Sequence, residues 1–139
     1  MRRFFDTNVL VYLFDEDAPE KREIAKRLFR ESVRDGSFVI STQVLQEFYV
    51  VVTRKLERPI SLDAAEGALD RFAALPAIPV DTPMVQVAAR TARLHTVSFW
   101  DALVIEAAQA AGASQILSED LQDGRRFGDV LIVNPFKAD

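Results

Sequence analysis

The stretch Arg3-Phe4-Phe5-Asp6-Thr7-Asn8-Val9-Leu10 decides the fold, because an apolar run near the start of the chain ends in an acid and then turns helical. The two phenylalanines favour a strand, whereas the threonine and asparagine after the acid are typical of a helix start. Asp6 is therefore expected at the carboxyl end of a first strand, where open α/β sheets bind their ligands. Two interpretations are open at this point: Asp6 caps the following helix, or it is one carboxylate of a site that other acids complete.

The composition is that of a globular domain without cysteine. Of the 139 residues, 49% are hydrophobic and 27% are charged, so residues 1–139 are expected to form one domain with a core of its own. The lack of cysteine excludes a disulfide framework, a thiolate nucleophile and a cysteine-based zinc site. No stretch approaches the roughly 18 uncharged apolar residues of a membrane span. We therefore expect no membrane partner and a cytoplasmic location.

The overall charge is acidic, with 17 basic and 21 acidic residues and a net charge of −4. This balance argues against a protein that binds nucleic acid through its overall positive charge. One local basic ridge is present, formed by Arg22, Lys26 and Arg30 at four-residue spacing. The ridge is compatible with contact to a phosphate backbone, but interspersed glutamates also allow a solvated surface of salt bridges.

Helical and strand-like segments alternate along the chain. Beyond the first strand, strands are predicted over residues 37–40, 77–80, 114–117 and 130–133. Helices are predicted over residues 20–35, from 41 or 42 to about 57, from 61 onward, from 82 to about 94, and from 98 to 112. Strands alternating with helices at this spacing predict a parallel sheet covered on both faces.

Glu47 is the most informative acid, because it lies within an apolar helix. Its neighbours three positions before and four after are Val44 and Val51, and a carboxylate on such a face is costly to bury without a cationic partner. Capping cannot explain Glu47, since it lies beyond the first helical turn. A salt bridge to an arginine at the edge of the core is the structural alternative to a functional role.

Two further acids follow capping residues or strand ends. Asp101 comes three residues after Ser98, a spacing that also fits a capping box, but the helix behind it is almost wholly apolar. Asp120 lies just past a predicted strand, with Glu119 and Asp123 close by. Both positions are expected at the ligand-binding edge of the sheet.

Four carboxylates at one edge would repel each other, by roughly 4 kcal/mol per close pair at an effective dielectric near 20. Folding tolerates such a cluster only if protons or cations compensate. Oxygen ligands without histidine or cysteine select Mg²⁺ or Mn²⁺, which bind phosphate oxygens and can support in-line displacement at a phosphodiester.

The successive segments resemble the motifs of PIN-domain nucleases, and in particular the VapC-like toxins of bacterial toxin–antitoxin pairs. The resemblance rests on residues 5–10, Glu47 in its apolar helix, residues 98–103 and residues 117–124, which occur in the family's order, and on the ending 132–136. It implies a three-layer α/β/α PIN-like fold with a central, mostly parallel sheet of about five strands. It also implies an endoribonuclease that depends on Mg²⁺ or Mn²⁺, is a homodimer, and is silenced by a cognate antitoxin protein.

The resemblance also assigns roles to residues. The acidic metal site would consist of Asp6, Glu47, Asp101 and Asp120. Supporting positions would be Asn8 and either Ser41 or Thr42 through hydrogen bonds, and Asp123 through a metal-bound water. Because Glu119 and Asp123 both lie near Asp120, the motif leaves open which acid beyond Asp120 matters.

Three other classes of protein compete with a nuclease. A haloacid-dehalogenase-like phosphotransferase needs a second aspartate two residues after the first, where this chain has Asn8. A receiver domain would use Asp81 as phosphate acceptor and needs a lysine at a late strand end, but Lys137 lies past the last predicted strand. In a non-catalytic binding module, the acids would serve only as caps and ion pairs.

Overall fold

The computed structural model describes residues 1–137, and in it strands and helices alternate as the sequence predicts. The predicted domain also includes residues 138 and 139, which lie outside the described part. The strands are β1 (Arg2–Phe5), β2 (Phe38–Ser41), β3 (Ala77–Ile78), β4 (Ala113–Leu117), β5 (Arg126–Phe127) and β6 (Val130–Val133). The helices are α1 (Thr7–Tyr12), α2 (Pro19–Arg34), α3 (Thr42–Val50), α4 (Leu62–Ala73), α5 (Thr82–His95) and α6 (Phe99–Ala110). A π-helical segment, Val51–Lys55, continues α3.

The strands form one sheet in the order β3-β2-β1-β4-β6-β5. All neighbouring pairs are parallel except β5 and β6, which are antiparallel. Phe4 and Phe5 are both fully buried, and consecutive strand residues point to opposite faces. The sheet is therefore covered on both sides, which confirms the predicted α/β class with its mostly parallel sheet.

The structure has one more strand than the roughly five predicted. The additional strand is β5, whose two residues pair with Val130 and Leu131 of β6. The turn between them contains Gly128 with φ +60°, a backbone conformation that glycine adopts at little cost. Strand β3 is shorter than predicted, ending before Pro79.

Phenylalanine rings fix α3 against the rest of the core. Phe48 of α3 contacts Phe72 of α4 at a centroid distance of 5.1 Å, and Phe5 contacts Phe38 at 4.8 Å. Phe48 and Val52 are fully buried in this core. Val50 on the same segment is 43% exposed, so one side of residues 48–52 packs in the core and another side reaches solvent.

The pairing of β1 with β4 brings distant parts of the chain to one edge. Phe5 and Leu117 are register partners, so the residues that follow them, Asp6 and Ser118, emerge side by side. The backbone N–H of Asp6 donates to the carbonyl of Leu117 at 3.0 Å, which extends the pairing to the acid itself. Within residues 1–137, none of the helices has the length and apolar character needed to cross a membrane.

Candidate active site

A cavity of about 620 Å³ opens at the carboxyl edge of the sheet. All four acids that the sequence places in one site line its wall: Asp6, Glu47, Asp101 and Asp120. They come from the end of β1, from α3, from the first turn of α6 and from the segment after β4. Residues separated by more than a hundred positions in the chain thus share one pocket.

Asp6 is buried and held by several donors. Its Oδ1 accepts from the backbone N–H of Thr7 at 2.8 Å, and its Oδ2 accepts from the Ser118 hydroxyl at 2.7 Å. Desolvation by burial raises the pKa of Asp6 from 3.8 to about 6, and the charges of Glu47 and Asp120 add to the rise, while the two hydrogen bonds oppose it. Asp6 therefore both caps α1 and contributes a carboxylate to the cavity.

Asn8 connects two of the acids. Its Nδ2 lies 3.3 Å from Oδ2 of Asp6 and 3.2 Å from Oδ2 of Asp120, so one amide group can donate to both carboxylates. Its Oδ1 accepts from the backbone N–H of Glu119 at 3.0 Å. Asn8 thereby fixes the segment after β4 relative to the start of α1, a supporting position like the one the resemblance implies.

Glu47 faces the cavity from α3 and is half-buried. The Thr7 hydroxyl donates to its Oε1 at 2.8 Å. Within residues 1–137, no lysine or arginine forms a salt bridge with Glu47, so its placement does not come from ion pairing with the core edge.

Asp101 combines the two roles that its sequence allows. Its backbone N–H donates to the Ser98 hydroxyl at 3.0 Å, which caps α6, while the residue itself lines the cavity. The start of α6 is also tied to α3, because the Gln43 side-chain Nε2 donates to the carbonyl of Trp100 at 3.2 Å. This bond links α3, which carries Glu47, to the start of α6, which carries Asp101.

A model of the PIN domain family matches residues 3–127, which is most of the chain. The chain is a member of the PIN domain family. Comparison with curated proteins by sequence gives no significant match.

Solved structures with the same fold include toxins of bacterial toxin–antitoxin systems. VapC20 of Mycobacterium tuberculosis, described as a toxin that cleaves the sarcin–ricin loop, is 20% identical with a TM-score of 0.68, covering 85% of this chain and 89% of VapC20. A toxin–antitoxin complex from Klebsiella pneumoniae is 18% identical with a TM-score of 0.69, covering 98% and 99%. DNA-bound VapBC from Salmonella typhimurium is 20% identical with a TM-score of 0.63, covering 95% and 96%. At these identities the likeness concerns the fold.

In this PIN domain, Glu119 is turned toward a cation rather than toward the other acids. Its two carboxylate oxygens accept from the Tyr12 hydroxyl at 2.5 Å and from Lys21 Nζ at 2.6 Å. The hydrogen bond from Lys21 is the main influence that lowers the pKa of Glu119, against the opposing effect of its burial. Glu119 lines the cavity, but its charge is already balanced.

Three of the predicted supporting residues lie outside the cavity wall. Asp123 accepts from the backbone N–H of Asn134 at 2.8 Å and from Lys137 Nζ at 3.3 Å, which lowers its pKa. Ser41 caps α3 by accepting from the N–H of Val44, and the Thr42 hydroxyl accepts from the N–H of Val80. Ser41 and Thr42 thus support the site only through the position of α3.

The basic ridge does not line the cavity either. Arg22 Nε donates to the carbonyl of Leu13, Lys26 lies 3.9 Å from Glu23, and Arg30 Nε donates to the carbonyl of Lys26. The cation that does line the cavity is Lys55, at the end of the π-helical segment.

The sequence did not point to Ser118, Gln43 or Lys55. Ser118 is fully buried, donates to Asp6, and accepts from the N–H groups of Asp120 and Leu121. The signal that could have identified it is a serine directly after a buried strand that pairs with β1. Gln43 and Lys55 carry no comparable signal.

The donor set suits a hard divalent cation held partly through water. In residues 1–137 no three carboxylates lie close enough together to enclose an ion directly, yet Glu47 and Asp120 are near enough to raise the pKa of Asp6. Mg²⁺ is commonly bound through one or two carboxylates and keeps several waters, so it matches acids spaced in this way.

Proposed function

We propose that this PIN-domain protein is a divalent-metal-dependent endoribonuclease that hydrolyses RNA phosphodiester bonds and acts as the toxin of a toxin–antitoxin pair. The observation that carries the proposal is that four acids from separate elements, Asp6, Glu47, Asp101 and Asp120, line one cavity and concentrate negative charge there, with Asp6 buried at its base. A divalent ion would compensate that charge, and a phosphate backbone is the substrate such an ion attracts.

Asp6, Glu47, Asp101 and Asp120 are the residues that would hold Mg²⁺ or Mn²⁺. The chemistry such a cation supplies in an acidic site is activation of water and neutralisation of charge during in-line displacement at phosphorus. Everything else in the reaction falls to the protein's own groups.

Those groups fix the carboxylates before substrate arrives. Ser118 and the backbone N–H of Thr7 hold both oxygens of Asp6, so its orientation is set by two short bonds. Asn8 keeps Asp120 beside Asp6, and the Thr7 hydroxyl orients Glu47. Preorganisation of this kind reduces the reorganisation that charge development would otherwise require.

The hydrogen bonds of Asn8 argue against a phosphotransferase of the haloacid-dehalogenase kind. The position that would need a catalytic acid carries an amide that donates toward Asp6 and Asp120 instead. A receiver is equally unsupported, since Asp81 caps α5 by accepting from the N–H of Met84, and Lys137 pairs with Asp123. A binding-only module leaves the gathering of four acids in one cavity without a role.

The structural neighbours support the proposed toxin role and its partners. The Klebsiella and Salmonella structures are toxin–antitoxin complexes, and we propose by analogy that a cognate antitoxin binds this chain. A homodimer and a cytoplasmic location, both expected from the sequence, belong to the same proposal.

Incubation of purified protein with end-labelled single-stranded RNA tests the activity. We expect cleavage with Mg²⁺ or Mn²⁺, none in chelator, and a loss of at least about a hundredfold in Asp101→Asn, because the acid lines the cavity while its backbone caps α6 independently of the carboxylate. The exposed Asp70→Asn serves as control. Cleavage that persists in chelator would refute the metal-dependent mechanism.

A further inference from the structure

Trp100 is the only tryptophan of the chain, and it is unusually exposed. The residue is 61% exposed, although tryptophan is on average a highly buried residue. It lines the same cavity as the four acids, directly before Asp101 in the first turn of α6. The exposed indole beside the acids is thus available to a ligand with an apolar face.

The ring is held in place by neighbouring groups. Phe99, which packs against the small cluster of Ala88, Ala102 and Leu103, contacts the indole edge-on at a centroid distance of 5.3 Å. The backbone of Trp100 is tied to α3 by the bond from Gln43. The indole is therefore a supported surface rather than a freely moving side chain.

The lining of the cavity suits a nucleotide. Val50, which is 43% exposed, lines the same cavity, and Lys55 supplies a positive charge on its wall. An exposed aromatic ring, an aliphatic side chain and a cation on the wall of one cavity suit a flat base joined to a phosphate. The cavity of about 620 Å³ has the size of a small-molecule pocket, not the extent of a protein interface.

We propose that Trp100 is a stacking platform for one nucleobase of single-stranded RNA, next to the phosphodiester that is cut. This proposal rests on the proposed ribonuclease function and adds the way in which the substrate is bound. Because stacking attracts an uncharged base, it provides affinity that the acidic wall does not repel. The stacked base would stand next to Asp101, so Trp100 would set the position of the chain and not the chemistry.

When the protein is excited at a wavelength that its two tyrosines do not absorb, its intrinsic fluorescence reports on Trp100 alone. Wild-type protein is mixed rapidly with an RNA decamer in Mg²⁺, and with a decamer of the same length in which every base is missing, while the anisotropy of a labelled RNA reports binding separately. We expect a saturable change in fluorescence with the complete RNA and none with the abasic one. In steady-state cleavage, Trp100→Ala should raise KM about tenfold and change kcat less than about threefold.

Two variants serve as controls. Trp100→Phe keeps an aromatic ring and should recover most of the affinity. Leu94→Ala changes an exposed apolar residue that does not line the cavity, and it should behave as wild type.

The outcomes separate the two proposals. RNA that binds and is cut without any change in fluorescence overturns the stacking platform and leaves the ribonuclease intact. An equal response to abasic RNA also overturns it, as does a fluorescence change that depends on protein concentration alone, which would put the indole in a contact between protein chains. RNA that neither binds nor is cut overturns both.

Discussion

The hydroxyl of Ser118 donates a 2.7 Å hydrogen bond to Oδ2 of Asp6, joining the ends of two neighbouring parallel strands. The Ser118 hydroxyl oxygen also accepts from the backbone N–H groups of Asp120 and Leu121, each at 3.2 Å. The buried Ser118 hydroxyl thus orients Asp6 and also shapes the turn that carries Asp120. This arrangement makes the geometry of the candidate site depend on a residue that contributes no charge.

Ser118→Ala should therefore impair both stability and activity. Loss of a buried hydroxyl that pairs with a carboxylate costs about 1–3 kcal/mol in the free energy of unfolding, and the pKa of Asp6 should rise further without this donor. Thermal unfolding and RNA cleavage measure the two effects. Ser114→Ala on β4 is the control, since the Ser114 hydroxyl donates to the backbone carbonyl of Arg2 and not to an acid. Equal behaviour of the two variants would contradict the role of Ser118.

The raised pKa of Asp6 predicts how stability depends on pH in the presence of a chelator. Between pH 3.8 and about pH 6, Asp6 keeps its proton in the folded protein but loses it in the unfolded chain. The free energy of unfolding therefore falls as the pH rises through this window. The full effect above pH 6 is on the order of 3 kcal/mol.

Asp6→Asn should not show this loss, because it carries no charge at that position. Its stability relative to wild type should be greatest above pH 6 and should shrink as the pH falls toward 3.8. Denaturant unfolding across this range measures the difference, with the exposed Asp70→Asn as control. A constant difference at every pH would show that Asp6 does not titrate as described.

Substitution of the two aspartates after β4, Asp120 and Asp123, should have very different effects on the rate of RNA cleavage. Asp120→Asn is expected to lower cleavage by about a hundredfold or more, as for a group that acts on the transition state. Asp123→Asn should stay within about twofold of wild type, because its carboxylate bonds Asn134 and Lys137 and does not line the cavity. A larger loss in Asp123→Asn than in Asp120→Asn would reverse the assignment.

The salt dependence of RNA binding tests the two basic surfaces. Lys55→Ala should weaken binding and lower the slope of log affinity against log salt by about 0.7, the value for one phosphate contact on a single strand. The ridge variant with Arg22, Lys26 and Arg30 replaced by alanine should also lower the slope, without changing the rate at saturating RNA. A slope equal to that of wild type would exclude the ridge from the RNA path.

The fold and the four acids were accessible from the sequence because each left a pattern. An apolar strand ending in Asp6 and an acid inside the apolar face around Glu47 are local signals, and parallel topology brings such positions together. Strand β5 left no signal, since Arg126 and Phe127 form a strand only by pairing with β6 across the turn at Gly128.

Supporting residues were harder to predict because their roles depend on tertiary contacts. The local sequence predicts that Thr42 begins a helix. It does not predict that the Thr42 hydroxyl accepts a hydrogen bond from the backbone N–H of Val80, nearly forty residues away. Asp123 belongs to the motif that follows β4. Its carboxylate nevertheless accepts hydrogen bonds from Lys137 and from the backbone N–H of Asn134. The tertiary structure decides whether a polar side chain faces the cavity or bonds to a nearby backbone group. The spacing of residues along the chain does not predict this.

Titration calorimetry with Mn²⁺ tests the central claim most directly, namely that four acids from separate parts of the chain form one divalent-cation site. We predict that wild type binds Mn²⁺ and that Asp6→Asn, Glu47→Gln, Asp101→Asn and Asp120→Asn each weaken binding about tenfold or more, whereas Asp123→Asn does not. Wild-type protein that binds no Mn²⁺, or four variants that bind it as wild type does, would contradict the account.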